Sequence, residues 1–313
     1  MRLDRLRFPD LPGRLRLLGF RPEDAAVVLG WREEVLASDA DARRICELAD
    51  AVAGDLGRFF DHGDDGTPFR PDDARHRLGR GVLPLFAYLA SADDVHAAHA
   101  ARGIPDAVSW ATLADLGQQV WKDRQVNGGT GLHNQRWLRT VWAGRLVRLG
   151  RLQFELTRSD LGSDAVGDAR PLVLSVHIPG DGPLTPGVVE ASLRHAPPFF
   201  ARHYPEAGEV RALVCRSWLL DPVLAALLPG SNLAAFGARW TRWACELRDR
   251  DALYFGFDIE PRPGWEPPAG VDALPVDSLL HRALVSHWRA GGHVRMCSGS
   301  MGIPAGRGDT FRN

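Results

Sequence analysis

From Pro22 to about residue 145, apolar positions recur at helical spacing. Pro22 opens a helix predicted to run to about Leu36, with Ala26, Leu29 and Val35 on its buried side. A second helix follows Asp39, where Ile45, Leu48, Ala49 and Val52 share a face. The polar stretch DHGDDGTP, from Asp61 to Pro68, reads as a surface connection. Asp72 is the expected cap of the next helix, which carries Leu78, Val82, Leu85, Phe86 and Leu89; Pro84 within it predicts a kink or break. Ser91 with Asp94 three residues on resembles a capping box, opening a short helix that ends near Gly103. Another helix runs from Asp106 through Trp110, Leu113, Leu116 and Val120 until NGGTG, Asn127 to Gly131, breaks it. A last one carries Trp137, Leu138, Val141 and Trp142.

Near Leu149 the period changes. In Arg151–Thr157, Leu152, Phe154 and Leu156 point one way, and Arg151, Gln153 and Glu155 the other, the mark of a strand with one buried side. SDLGSDAVGDARP then forms a turn or flexible hairpin. Leu172–Val176, bounded by Pro171 and Pro179, reads as a buried strand. After it come Gly180, Gly182 and Pro183, then Thr185 before Pro186, the N-cap and first-turn proline of a helix expected to reach about His203. Val210–Trp218 is apolar on both sides, as in an interior strand. Asp221-Pro222 opens a short helix, and Trp240–Leu247 with Ala252–Asp258 flanks the polar turn RDRD as a hairpin. Asp277 is the expected cap of a final helix carrying Leu279, Leu280, Ala283, Leu284 and Trp288 and closed by Gly291. The Gly-rich, polar tail from Gly299 is expected to fray. The predicted division is a helical domain over 1–135, an α/β domain over 136–298 and a flexible tail over 299–313.

A chain of 313 residues makes one large domain or two ordinary ones, and 45% hydrophobic with 25% charged residues is a globular composition. The formal net charge of −1 supplies no field to attract nucleic acid or anionic lipid. Lys122 is the single lysine, so lysine chemistry is not expected, and the arginine bias fits codon composition better than nucleic-acid binding. Cys46, Cys215, Cys245 and Cys297 form no C-x-x-C pair, which argues against a zinc knuckle or disulfide framework and fits a reducing cytoplasm. MRLDRLRFPD lacks the apolar core of a secretory signal, and no apolar run approaches the roughly 18 residues of a membrane span.

The segments GLHNQRWLRTVWAGRLVRLGRLQFEL, SVHIPGDGPLTPGVVEASL, CRSWLLDPVLAALLP with SNLAAF, and LPVDSLLHRALVSHWRAGG stand in an order that resembles a bacterial family of predicted acyltransferases. That family joins a helical N-acyltransferase N-terminal domain to a GNAT-like C-terminal domain, and the resemblance spans nearly the whole chain. It implies an α+β fold whose second domain holds a mixed, mostly antiparallel sheet. It also implies acyl-CoA as co-substrate, no metal, and an amine or hydroxyl acceptor selected by the helical domain. In GNAT-like enzymes the pantetheine arm enters where two neighbouring strands part; here these would be Leu172–Ile178 and Val210–Trp218. The implied contacts are Val176, Ile178 and Trp218 for the arm, with Gly180, Gly182, Leu184 and Thr185 at the phosphate turn. IPGDGPLTPG departs from the usual Gln/Arg-x-x-Gly-x-Gly/Ala pattern: Pro183 and Pro186 each lack an N–H, and Asp181 repels phosphate. Pantetheine insertion is therefore better supported than a phosphate cradle, although any helix start after a strand favours an anion.

Acyl transfer needs a base for the nucleophile's proton and a donor for the thioester oxyanion. His177, where the central strand meets the turn, is the first candidate base, with an ordinary pKa of about 6.5; a histidine bonded to backbone at a strand end is the alternative. Ser217 either hydrogen-bonds substrate or closes a turn, and Asp221 is either catalytic or a helix N-cap. Cys215 is a core thiol rather than an acyl-enzyme nucleophile, and Glu155 belongs to a solvated face. His96 and His99 read as a surface pair without a third metal ligand, and His281 and His287 lack a carboxylate motif. NGGTG is a helix break that could cover a substrate. Trp110, Trp121, Trp137 and Trp142 build an interdomain core rather than stack bases. A catalytically silent acyl-CoA or partner-binding protein is the competing function; thioester hydrolysis ranks lower without a G-x-S-x-G elbow.

Overall fold

The computed structural model describes residues 4–7, 10–58, 68–159 and 170–304 and divides into two compact units, 1–148 and 149–313. The expected connections at Asp61–Thr67 and Asp160–Ala169, and the last nine residues of the tail, lie outside the described residues.

The first unit carries helices α1 (Asp4–Arg7), α2 (Leu11–Leu17), α3 (Pro22–Leu36), α4 (Asp39–Gly54), α5 (Val82–Ala101), α6 (Asp106–Leu113), α7 (Asp115–Asn127) and α8 (Gln135–Trp142). A small ladder of β1 (Arg75–His76) and β2 (Gly79–Arg80) precedes α5. On α4, Ile45, Leu48, Ala49 and Val52 are all fully buried, and Ser38 caps the helix by accepting from the Asp41 N–H. On α3 the buried positions are Val28, Val35 and Asp24; Ala26 is exposed.

Helix α5 is the unit's core helix. Pro84 neither kinks nor breaks it, because it occupies the first turn, where its missing N–H has no helical partner to lose. Ser91 starts no new helix; buried in mid-helix, its hydroxyl donates back to the Ala87 carbonyl. Gly128, at φ +76°, ends α7 in the left-handed conformation that glycine adopts without a Cβ clash. Trp142 is buried in this unit's own core, with Trp110 and Trp137 packed against it, while Trp121 lies under the Arg21 guanidinium. This replaces the expected interdomain cluster.

The second part of the chain forms a six-stranded sheet in the order β3-β4-β5-β6-β8-β7. Its strands are β3 (Leu146–Leu149), β4 (Leu152–Arg158), β5 (Leu172–His177), β6 (Leu213–Ser217), β7 (Thr241–Leu247) and β8 (Arg295–Met301). β5 and β6 run parallel, whereas β4–β5, β6–β8 and β7–β8 are antiparallel. The connecting helices are α9 (Pro186–His203), α10 (Pro222–Leu227), α11 (Asn232–Gly237), α12 (Asp249–Phe257) and α13 (Leu279–Arg289).

Three expectations fail here for one reason: strand partners distant in sequence. Ala252–Asp258 is no hairpin arm; its residues belong to α12, where Ala252, Leu253 and Phe257 face one core. The partner of β7 is instead β8, which recruits Gly299–Met301 from the tail expected to fray. That pairing sets Cys245 opposite Cys297, and the two form a disulfide across 52 residues, where separate thiols were expected. One smaller correction concerns α13, capped by Ser278 rather than Asp277.

Candidate active site

Pairing between β5 and β6 is short. Ladder partners are Leu174 with Leu213 and Ser175 with Val214, and the adjoining bonds run from Arg211 N–H to the Leu172 carbonyl (2.8 Å) and Leu174 N–H to the Ala212 carbonyl (3.1 Å). Beyond Ser175 and Val214 no ladder pair joins the two strands, although each keeps its other neighbour: His177 stays opposite Gln153 on β4, and Ser217 opposite Cys297 on β8. The strands therefore part toward their C-terminal ends. Because the Leu174 N–H faces β6, alternation turns the polar backbone groups of Val176 into the opening, and Ile178 follows two residues later. Such a gap accepts an extended chain with amide groups as a further strand.

Register also sorts the side chains. Leu152, Phe154, Leu156, Leu172, Leu174 and Val176 form a buried apolar face. The opposite face carries Gln153, Glu155, Thr157, Val173, Ser175 and His177. Across it the Glu155 Oε2 lies 3.0 Å from the His177 Nε2. Glu155 is thus the histidine's partner, not one residue of a solvated face. Gln153, directly opposite His177, is 2% exposed, and its Nε2 is buried without a hydrogen-bond partner among the described residues.

The turn after β5 is exposed from Gly180 to Pro183, with Leu184 buried beneath it. Arg151 holds this turn, donating to the Gly182 carbonyl (2.6 Å) and the Pro183 carbonyl (3.1 Å). With the Pro183 carbonyl on Arg151, the trans peptide directs the Leu184 N–H the opposite way. Arg151 also lies 3.9 Å from Asp181, offsetting the charge expected to repel phosphate. Thr185 is the N-cap residue of α9 but makes no side-chain cap bond. Its hydroxyl leaves the helix's first amides to another acceptor.

Two other candidates serve the fold. The Asp221 carboxylate accepts from Val223 N–H (3.1 Å), Arg295 N–H (2.6 Å) and the Arg295 guanidinium (2.9 Å), so both oxygens are engaged in tying α10 to β8. Trp218, which directly follows β6, is buried in a core cluster with Leu224, Leu253, Phe257 and Trp288. Ser217 accepts from the Leu219 N–H at 3.1 Å, closing the turn after β6. Cys215 is buried, and burial pushes its thiol far above the range where a thiolate forms. Among the other histidines, His99 is fully buried and shares the Ser109 hydroxyl with His96, against the expected surface pair. His281 is held by Asp277 and the Gly256 carbonyl, and His287 by the His293 carbonyl.

Glu155 and Arg151 are the residues that sequence reasoning passed over. The alternation over Arg151–Thr157 put both on the polar side, but only the register of β4 with β5 puts Glu155 beside His177.

Comparison with known families agrees with this geometry. The model of an N-acyltransferase N-terminal domain matches residues 9–144, and that of a GNAT-like C-terminal domain matches residues 146–301. A solved acyltransferase in complex with CoA and 10C-teicoplanin is 30% identical with a TM-score of 0.79, over 96% of this chain and 93% of that one. Another, in complex with decanoyl-CoA and teicoplanin, is 32% identical with a TM-score of 0.76, over 93% of this chain and 86% of that one. No protein of curated function matches. The chain belongs to the two-domain acyltransferase family with a GNAT-like C-terminal domain. It is an acyl-CoA-dependent acyltransferase, moving an acyl group from a CoA thioester to an amine or hydroxyl acceptor. Among the described residues no helix is long and apolar enough to cross a membrane.

Proposed function

We propose that this enzyme takes a medium-chain acyl-CoA, of the decanoyl kind, and acylates a small molecule of the teicoplanin kind. The observation that carries the reading is the opening between β5 and β6 with His177 at its mouth. Pantetheine lies along Val176 and Ile178, bonded as an extra strand. Its pyrophosphate rests by Gly180, Gly182, Leu184 and Thr185, on a turn held by Arg151. The acceptor's amine or hydroxyl attacks the thioester carbonyl as His177 takes its proton, and CoA departs when the C–S bond breaks. Ser217, at the end of β6, is assigned to hydrogen bonding of substrate through its O–H, its oxygen already accepting from Leu219. Asp221 is assigned to the fold rather than to catalysis. Support for these donors and acceptors comes from the two neighbours, each similar over both domains. Use of acyl-CoA as donor favours a cytoplasmic location, whereas the Cys245–Cys297 disulfide does not add to that reading.

The test is to follow release of free CoA from decanoyl-CoA with and without a teicoplanin-type glycopeptide lacking its acyl chain. Acceptor-dependent release and a product heavier by one acyl group are expected. Replacing His177 with Ala should lower kcat by about a hundredfold or more, the usual range for a general base. Binding of decanoyl-CoA without turnover on any amine or alcohol acceptor would mark a silent binder instead.

A further inference from the structure

We infer that Glu155 is the positioning residue of His177: it fixes which ring nitrogen takes the acceptor's proton and stabilises the imidazolium that forms. This rests on the reading of His177 as the base. The sheet itself makes the pair. Six consecutive β4–β5 ladder pairs set Gln153 opposite His177 and Glu155 opposite Ser175, so Glu155 is the diagonal neighbour of His177 on the same face. Diagonal neighbours on adjacent strands are about 7–8 Å apart at the backbone, which two long side chains bridge. Here they meet at 3.0 Å, with side-chain exposures of 27% for His177 and 18% for Glu155. Shielding to that degree strengthens the interaction relative to open water while leaving the imidazole reachable.

Several other glutamates in this arginine-rich chain answer to arginines: Glu23 to Arg124, Glu34 to Arg77, Glu190 to Arg239 and Glu246 to Arg216. Glu155 departs from that habit and faces an imidazole. An ionised carboxylate only accepts hydrogen bonds, so Nε2 is the protonated nitrogen of the neutral ring. Proton uptake then falls to Nδ1. As the acceptor nitrogen or oxygen bonds to the thioester carbon, its proton passes to Nδ1, and the ring becomes a cation next to a fixed anion. When the C–S bond breaks, that proton moves to the departing sulfur and CoA leaves as the thiol. Glu155 stays ionised throughout, the role of the carboxylate behind a catalytic histidine. On this face Gln153 stands opposite His177 and Ser175 two residues before it, both neutral, and Arg216, on the same face of β6, is bonded to Glu246.

The enzyme is assayed as Glu155→Gln, Glu155→Asp and His177→Ala, with kcat and KM for decanoyl-CoA. Gln keeps an acceptor but removes the charge. It is expected to lower kcat about tenfold or more and to leave KM for decanoyl-CoA within about twofold. Asp restores part of kcat. Glu155→Gln with kcat within about threefold of the parent, in a background where His177→Ala collapses the rate, overturns the inference and spares the base. A His177→Ala enzyme of near-parental rate overturns both. Nitrogen NMR of the ring in the unaltered enzyme needs no variant: a neutral form protonated at Nε2 supports the pairing, and one protonated at Nδ1 refutes it.

Discussion

Replacing Asp221 with Ala separates the fold from the chemistry. Its side chain is wholly shielded from solvent, whereas that of Arg295 is 42% exposed. Solvent therefore screens the guanidinium's share, and the ion pair proper contributes little, as exposed pairs do. The cost comes from two backbone donors, the N–H groups of Val223 and Arg295, at 3.1 and 2.6 Å. Loss of an N-cap costs about 1 kcal/mol. A buried amide left without its charged acceptor costs about 1–3 kcal/mol more. The sum is about 2–4 kcal/mol, which for a domain of this size lowers Tm by roughly 5–15 °C. Thermal unfolding followed by circular dichroism measures the loss, and kcat is taken at a temperature where the variant remains folded. A destabilised variant whose kcat stays within about threefold is expected. An unchanged Tm, or a folded variant slowed about a hundredfold, would refute the structural assignment and return Asp221 to the catalytic set.

Cys215→Ala should retain kcat within about threefold, and thiol alkylation of the native enzyme near neutral pH should not inactivate it through this residue, because burial suppresses its thiolate. Arg151→Met removes the two donors that hold the 182–183 carbonyls and should raise KM for acyl-CoA about tenfold with a smaller change in kcat; the reverse pattern would disconnect the turn from donor binding. His99 is fully buried, and burial first, then the charges of His96 and Arg102, lowers its pKa to about 4. A histidine depressed in the fold binds its proton more readily when unfolded, so its stability contribution is intact above about pH 6.5 and falls as pH drops toward about 4. The total is about 3 kcal/mol. Urea denaturation at several pH values should show that slope, and His99→Gln should flatten it.

Local features were readable wherever their cause lay within a few residues. The buried face of α4, the end of α5 near Gly103, the start of α9 at Pro186 and the Asp221-Pro222 helix opening all follow from periodicity, a cap or a proline. Composition also limited the chemistry, since a chain with one lysine offers few catalytic amines. Where two strands meet has no such local cause. The residue pattern of β7 fits a nearby hairpin arm as well as β8, and only the assembled sheet brings β8 between β6 and β7. The same holds at the site: His177 and the strand before it were visible in the chain, but its bond to Glu155 depends on register across a loop, and the opening depends on where β5 and β6 cease to pair. Caps and periodicity act through neighbouring residues, whereas ladder partners are selected by the packing of the whole domain.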